Sequence, residues 1–167
     1  MKISDFPAFE NLNDTQIENL QSACTERWLD KDEVLIKRGE PGGDLFFLLE
    51  GELLVYVKEN AREVELVRVQ APAVVGELEL LTNQDRTASV RALCKSQVFA
   101  LEQERIEQRL SDGDPAVLKV MLAISRVIAG RLAGMTEKFV ELEGKIEPAR
   151  SHELSDFRKK LFSEWTF

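Results

Sequence analysis

Short runs of alternating apolar and polar side chains occupy the middle of the chain, from Trp28 to Leu101. They include DLFFLLEG, ELLVYVKE, EVELVRVQ, TASVRALC and SQVFALEQ, and turn-forming residues separate them. Alternation with a period of two is typical of strands that bury one face. Many short strands with turns between them favour a sandwich or a barrel. We therefore predict an α+β fold whose centre is an antiparallel β jelly-roll barrel.

Helical periodicity precedes and follows these strands. Residues 1–24 predict a short helical lead-in, whose helix is capped by Asn13 or Asp14. A long helix is predicted from Ala116 to about Lys145, just after a proline at an early helical position. The jelly roll should therefore be flanked by a short N-terminal helix and a long C-terminal helix.

The long helix carries an apolar seam with the spacing of a coiled coil. Its members are Met121, Ser125, Ile128, Leu132, Met135, Phe139, Leu142 and Ile146. Steps of four and three residues are those of a and d positions, whereas the broader stripe before Val127 is typical of a helix that covers a core. The seam favours a homodimer through the 121–146 helix. An intramolecular helix contact is the alternative.

A short tail follows this helix after Pro148. We predict a domain over 1–145 and a helical tail over 146–167. One face of a predicted helix at 152–165 carries Leu154, Phe157, Leu161 and Trp165. Such an amphipathic helix needs a surface to pack on, which is either its own domain or dimer mate, or a separate protein partner.

Composition and charge exclude several classes of function. The chain has 22 basic and 30 acidic side chains, a formal net charge of −8, which argues against general binding to nucleic acid or to an anionic membrane. No segment resembles a signal peptide or reaches the ~20 apolar residues of a membrane span, so we expect a cytoplasmic protein. His152 is the one histidine, and Cys24 and Cys94 are isolated and expected to be buried. We expect no metal site, no cofactor and no catalytic triad.

Two segments between the strands stand out. RGEPGGD, residues 38–44, is predicted to form a tight reversal between strands, and it lacks the spacing of a triphosphate or dinucleotide loop. VVGELELLTNQDRTASVRAL, residues 74–93, is a polar excursion in which Glu77 lies nine residues before Arg86. The small residues after this arginine are Thr87, Ala88 and Ser89.

The second segment suits a ligand that has both hydroxyl groups and a phosphate. A carboxylate at Glu77 can accept from hydroxyls, and the forked donors of Arg86 match phosphate oxygens. Gly76 would let the backbone approach the ligand, and a turn of helix is expected after it. The structural alternative is a buried Glu–Arg pair that joins two strands.

The order of elements, the turn RGEPGGDLFFLLEGEL and above all VGELELLTNQDRTASVRA resemble the cyclic-nucleotide-binding domain shared by catabolite activator protein, protein kinase A regulatory subunits and cyclic-nucleotide-gated channels. The resemblance extends from about Phe6 to Leu142. It implies that Glu77 holds the ribose 2′-hydroxyl, that Arg86 grips the cyclic phosphate, and that backbone donors come from Leu78, Glu79 and Thr87. The implied ligand-binding set is Gly76, Glu77, Leu78, Glu79, Arg86, Thr87, Ala88 and Ser89.

Two acidic residues depart from the family pattern. Glu79 stands where the family usually has a small residue, in the turn whose N–H groups are implied to face the phosphate, and Asp85 adjoins Arg86. At ~5 Å and an effective dielectric of ~20, one such repulsion costs about 3 kcal/mol, unless the side chain turns to solvent. Glu79 could instead pair with Arg86 and fill the phosphate site from within.

The resemblance implies a stand-alone regulatory sensor, not an enzyme, that binds cAMP or cGMP and signals by movement of its C-terminal helices. The alternative is a degenerate domain that binds no nucleotide and acts as a dimerisation or protein-interaction module. A cupin enzyme on a similar jelly roll would need several histidines in the barrel, and the sequence has none there.

Overall fold

Two four-stranded antiparallel sheets and their flanking helices make up the part of the chain that the computed structural model describes, residues 3–60 and 62–143. The helices are α1 (Asp14–Ala23), α2 (Glu77–Thr82), α3 (Gln103–Ser111) and α4 (Pro115–Glu143), after 3₁₀ turns at Ile3–Asp5 and Pro7–Phe9. The strands are β1 (Thr25–Leu29), β2 (Val34–Ile36), β3 (Leu45–Glu50), β4 (Glu52–Glu59), β5 (Arg62–Gln70), β6 (Ala73–Val75), β7 (Ser89–Ala92) and β8 (Ser96–Leu101). The sheet orders are β1-β8-β3-β6 and β2-β7-β4-β5.

Side chains from both sheets meet in one apolar core. The first sheet contributes Leu29, Phe46, Leu48, Val75, Val98 and Ala100, and the second contributes Ile36, Leu53, Val90 and Ala92. The predicted antiparallel β-rich fold with flanking helices is confirmed. The jelly-roll barrel is confirmed only in part, because the described strands form two separate sheets that are not closed into a barrel. Alternation identified the strands but carries no information on which of them lie at an edge.

The N-terminal segment packs on the first sheet as the apolar pattern predicts. Phe6, Phe9 and Phe47 form an aromatic cluster with ring centroids 5.1–5.7 Å apart. Asn13 caps α1: its side chain accepts from the Gln16 N–H at 2.9 Å, while the Gln16 side chain accepts from the Asn13 N–H at 3.2 Å. This reciprocal capping box satisfies donors that the first helical turn leaves unpaired.

The chain divides into two compact units, Met1–Ile124 and Ser125–Phe167, and the division falls within α4. In the first unit, α4 buries one face, formed by Ala116, Val117, Val120 and Ile124. In the second unit, the seam residues Leu132 and Met135 are 42% and 68% exposed. The predicted boundary at 145/146, the end of the seam at Ile146 and the helix at 152–165 lie outside the described residues.

Two connections add to what the strand pattern indicates. The segment RGEPGGD, predicted as a tight reversal between strands, links β2 of the second sheet to β3 of the first. Helix α3 follows β8 directly and was not predicted, because the first helix expected beyond Leu101 was the long one that begins at Ala116. Within the described residues, no helix combines the length and the apolarity needed to cross a bilayer.

Candidate functional site

Helix α2 and the loop behind it bring the predicted site residues together. Strand β6 ends at Val75, and Gly76 turns the chain into α2 with φ of 83°. A Cβ atom on Gly76 would lie 2.6 Å from the Asp44 carbonyl oxygen and 2.8 Å from the Arg86 guanidinium. Glycine is therefore required both for the left-handed backbone and for the close approach. The predicted turn of helix after Gly76 is confirmed by α2.

Arg86 is buried at the centre of this region. Its Nη1 donates to the Gly76 carbonyl at 3.1 Å and its Nη2 to the Asp44 carbonyl at 2.9 Å. Its backbone N–H donates to the Glu40 carbonyl, and its own carbonyl accepts from the Gly39 N–H. The guanidinium also lies 5.9 Å from the centre of the Phe46 ring. Both the backbone and the guanidinium of Arg86 are therefore held in place by hydrogen bonds.

Glu79 completes the arrangement from α2. One carboxylate oxygen, Oε2, accepts from Arg86 Nη1 at 3.1 Å, and the side chains of both partners are only 6% exposed. The other oxygen, Oε1, accepts from the Thr87 N–H and from the Thr87 hydroxyl, both at 2.9 Å. Glu79 therefore pairs with Arg86, which is one of the orientations that the sequence leaves open for this side chain.

The protonation state of Glu79 follows from these contacts. Burial alone would raise the pKa of the carboxyl group, but the N–H and hydroxyl of Thr87 and the guanidinium of Arg86 donate to its charged form. Together the hydrogen bonds lower the pKa of Glu79 by more than burial raises it, so this pKa lies below its ordinary value. The group is therefore a carboxylate at neutral pH, and the site contains one positive and one negative charge in contact.

The remaining predicted residues surround this pair. Glu77 is buried at the first position of α2, and Leu78 next to it is 43% exposed. Ala88 is half-buried. Ser89 is buried, and its hydroxyl accepts from the Arg38 N–H at 3.0 Å. The side chain of Asp85, the second acid that departs from the family pattern, is exposed.

An apolar face of the β4–β5 hairpin adjoins the loop that carries Arg86. The hairpin face consists of Val55, Val57, Val64 and Val67, in which Val55 pairs with Val67 and Val57 pairs with Val64. Val64 and Val67 are 41% and 51% exposed. Because Ser89 of β7 pairs with Tyr56, the register of β7 leads from Ala88 towards Val57. The hairpin face is therefore a partly uncovered apolar surface on β4 and β5, of which β4 lies beside β7, the strand that follows the arginine loop.

The β2–β3 loop contributes contacts to the site that the sequence pattern does not indicate. Asp44 holds Arg86 through its carbonyl and also accepts from the Gln103 N–H through its carboxylate at 3.0 Å, at the start of α3. Gly42 leaves room beside the guanidinium, since a Cβ atom there would lie 3.7 Å from Arg86 Nη2. The two adjacent glycines before an aspartate were the available signal, and they were interpreted only as turn residues.

Acidic side chains dominate an open pocket on this loop and α3. It has a volume of about 570 Å³ and is lined by Gly42, Gly43, Asp44, Glu102, Gln103, Glu104 and Glu107. In the described ranges, no group of three or more His, Cys, Asp or Glu side chains could hold a metal ion.

The two cysteines lie in different environments. Burial raises the pKa of the Cys24 thiol to about 12, so this thiol is protonated at neutral pH. Cys94 is exposed, so the expectation that it is buried is wrong.

Comparison with known proteins identifies the family. The model of the cyclic nucleotide-binding domain matches residues 26–112, just over half of the chain. The chain belongs to the cyclic nucleotide-binding domain family, and Glu77, Glu79 and Arg86 all lie within the matched region.

Three similar proteins illustrate the relationship. The cAMP-dependent protein kinase regulatory subunit of Blastocladiella emersonii is 29% identical over 153 residues, which are 89% of this chain and 34% of that protein. The N-terminal domain of a transcriptional regulator from Streptomyces coelicolor A3(2) is 28% identical, with a TM-score of 0.63 over 81% of this chain and 93% of that one. A mutant regulatory subunit of a cAMP-independent protein kinase A from Trypanosoma brucei, bound to cAMP in its A site, is 22% identical, with a TM-score of 0.65 over 75% and 44%. The chain spans only about a third of the length of the first of these relatives.

Proposed function

We propose that this chain is a regulatory domain that binds cAMP or cGMP at the cassette formed by residues 76–89. The observation that carries the proposal is that three donors, the Arg86 guanidinium and the N–H and hydroxyl of Thr87, already converge on one buried anionic group. Converging charged and neutral donors of this kind are what a phosphate needs. Other anions could use them too, so the ligand class comes from the family.

The surroundings of the arginine support a nucleotide as the ligand. Family resemblance assigns the ribose 2′-hydroxyl to Glu77, which is buried at the start of α2. The hairpin face offers apolar surface next to the arginine loop, and a purine base could stack or pack on such a surface. Gly76, Leu78, Ala88 and Ser89 complete the proposed contact set.

The second candidate is a domain of this family that binds no cyclic nucleotide and serves as an interaction module. The buried pair between Glu79 and Arg86 favours it, because the carboxylate satisfies the donors that a phosphate would use. In the Trypanosoma brucei mutant, a glutamate replaced by alanine lies seven positions before a threonine replaced by arginine. Glu79 and Arg86 have that same spacing.

Signalling is proposed to run through the C-terminal helix and a dimer. The exposed seam residues Leu132 and Met135 on α4 would be covered by a second copy of the chain. Ligand binding would shift the population of α4 arrangements, which is regulation without catalysis. A cytoplasmic location and a docking role for the 152–165 helix remain predictions.

Thermal unfolding with and without nucleotide tests the proposal. Because a ligand that binds only the native state stabilises it, about 1 mM cAMP or cGMP should raise the Tm of the unmodified protein. Arg86→Lys should remove most of this gain, since an ammonium lacks the forked donors of the guanidinium. Arg68→Ala is the matched control, because the ion pair of Arg68 with Glu65 is exposed on β5, and it should keep the full gain. An unchanged Tm with both nucleotides would favour the second candidate.

A further inference from the structure

We propose that Glu79 is a built-in competitor for the phosphate: the carboxylate and the ligand occupy the same donors in mutually exclusive states. The inference rests on the proposed function, because it concerns the control of that same site. It assigns to Glu79 the role of setting how much cyclic nucleotide is needed for binding.

The contacts of Glu79 are those of a bound anion. Both of its oxygens are used, one on the guanidinium of Arg86 and one on the two donors of Thr87. A phosphate placed on these donors would lie against the carboxylate, and two anions at such a distance in a buried site repel each other strongly. Binding therefore requires that Glu79 leaves.

The arginine does not depend on Glu79 for its position. Its bonds to the carbonyls of Gly76 and Asp44, and the backbone bonds that flank it, involve other parts of the chain. Loss of the carboxylate would free one guanidinium donor and the donors of Thr87 while Arg86 stays in place. The result would be a vacant anion site with its shape preserved.

Helix α2 offers a route for the side chain to withdraw. It is only six residues long and carries Glu79 in its first turn. Leu78 and Leu81 on α2 are 43% and 50% exposed, so the helix lies at the surface of its unit. A small rotation of α2 would carry Glu79 away from Arg86, and it would couple ligand occupancy to the conformation of the cassette.

The experiment compares two substitutions that each remove one negative charge near the arginine. Glu79→Gln removes the charge that contacts Arg86, and Asp85→Asn removes the exposed charge next to it in sequence. Glu79→Ala is included in case the glutamine amide keeps the hydrogen bonds to Thr87. The full-length proteins are titrated by calorimetry with cAMP, with cGMP and with adenosine, which has no phosphate. Their Tm values verify that each variant is folded.

We expect Glu79→Gln and Glu79→Ala to tighten binding of the better cyclic nucleotide about 10- to 100-fold, as removal of one close repulsion would. Asp85→Asn should change this affinity less than about threefold, because an exposed charge is screened. The affinity for adenosine should rise less than about threefold in every variant, because adenosine has no phosphate to place on the donors that Glu79 occupies.

The outcomes separate this inference from the proposed function. If the unmodified protein binds cyclic nucleotide and both Glu79 variants bind it equally or more weakly, the competitor role is wrong and the proposed function stands. If only the Glu79 variants bind, the competitor role stands and the unmodified chain is not a sensor. If the Glu79 variants bind adenosine more tightly by the same factor as the cyclic nucleotide, the competitor role is wrong. If none of the folded proteins binds cyclic nucleotide, both the competitor role and the proposed function are wrong.

Discussion

At the scale of single residues, the site is organised by the buried ion pair of Glu79 and Arg86. Removing both charges from water is costly, and the cost is offset here because every polar contact of the carboxylate is a charged or well-placed donor. The sequence identified both residues and three orientations of the Glu79 side chain, towards the phosphate donors, towards solvent or onto Arg86. It could not choose between them, because the orientation depends on where Thr87 and Arg86 lie relative to α2 in the folded chain.

The lowered pKa of Glu79 predicts a pH-dependent difference in stability between the unmodified protein and Glu79→Gln. A carboxyl group whose folded pKa is below its ordinary value stabilises the fold above that ordinary value, near 4.5, and this contribution is lost as the pH falls through the folded pKa. At pH 7 the variant should be less stable, by up to the ~3–5 kcal/mol that breaking a buried pair costs. The difference should shrink on acidification.

Urea unfolding of the two proteins at pH values between about 7 and 3 measures this difference. Other groups titrate in both proteins and cancel in the subtraction. A difference that stays constant over this range would contradict the role of the carboxylate charge.

At the scale of elements, strands and long helices were predictable and short connections were not. The quoted alternating runs correspond to β3, β4, β5, β7 and β8, and Asn13, one of the two predicted caps, does cap α1. Helix α3 has few apolar positions, with Ile106 as its one buried residue, so its signal was weak. The β2–β3 loop was predicted only as a turn, because its crossing between sheets and its contacts with Arg86 are set by partners far along the chain.

The turn into α2 requires glycine at Gly76 because a side chain would clash with its neighbours there, and this effect can be measured separately from backbone strain. Gly76 and Gly39 have φ of 83° and 81°, but only at Gly76 would a Cβ atom meet neighbouring atoms. Gly39→Ala should therefore cost about 1 kcal/mol from its left-handed backbone alone. Gly76→Ala should cost about 2–4 kcal/mol, because the clash with the Asp44 carbonyl and Arg86 is added.

Thermal unfolding of the two alanine variants gives this comparison directly, and each kcal/mol corresponds to roughly 2–4 °C in Tm for a chain of this size. Equal losses in the two variants would show that crowding at Gly76 has no energetic effect.

At the scale of the whole molecule, the family and an antiparallel β-rich fold with flanking helices were recognisable from the sequence, whereas the separation into two sheets and the assembly were not. The seam on α4 leaves Leu132 and Met135 exposed in the single chain, and exposed apolar side chains at a/d spacing are typical of a helix that pairs. Composition adds that the chain is acidic, with a formal net charge of −8. Two such chains would associate through apolar contact and against a net repulsion.

A charge in the seam should therefore convert a dimer into a monomer. Leu132→Glu would bury an unpaired carboxylate between two helices, so the dimer should dissociate at micromolar concentration. Glu137→Lys, about 140° around the helix from Leu132, alters charge off the seam and should leave the dimer intact. Sedimentation equilibrium gives the molar mass in solution of the unmodified protein and of the two variants. A monomeric mass for the unmodified protein would contradict the proposed assembly.

The central claim is that the cassette around Arg86 binds a cyclic nucleotide. Calorimetric titration of the unmodified protein with cAMP and with cGMP tests it most directly. We expect saturable binding of at least one of them, near one molecule per chain, at a concentration that Glu79 makes higher than an open site would need. Absence of binding by a folded protein up to about 1 mM of both nucleotides, a free energy weaker than ~4 kcal/mol, would contradict it.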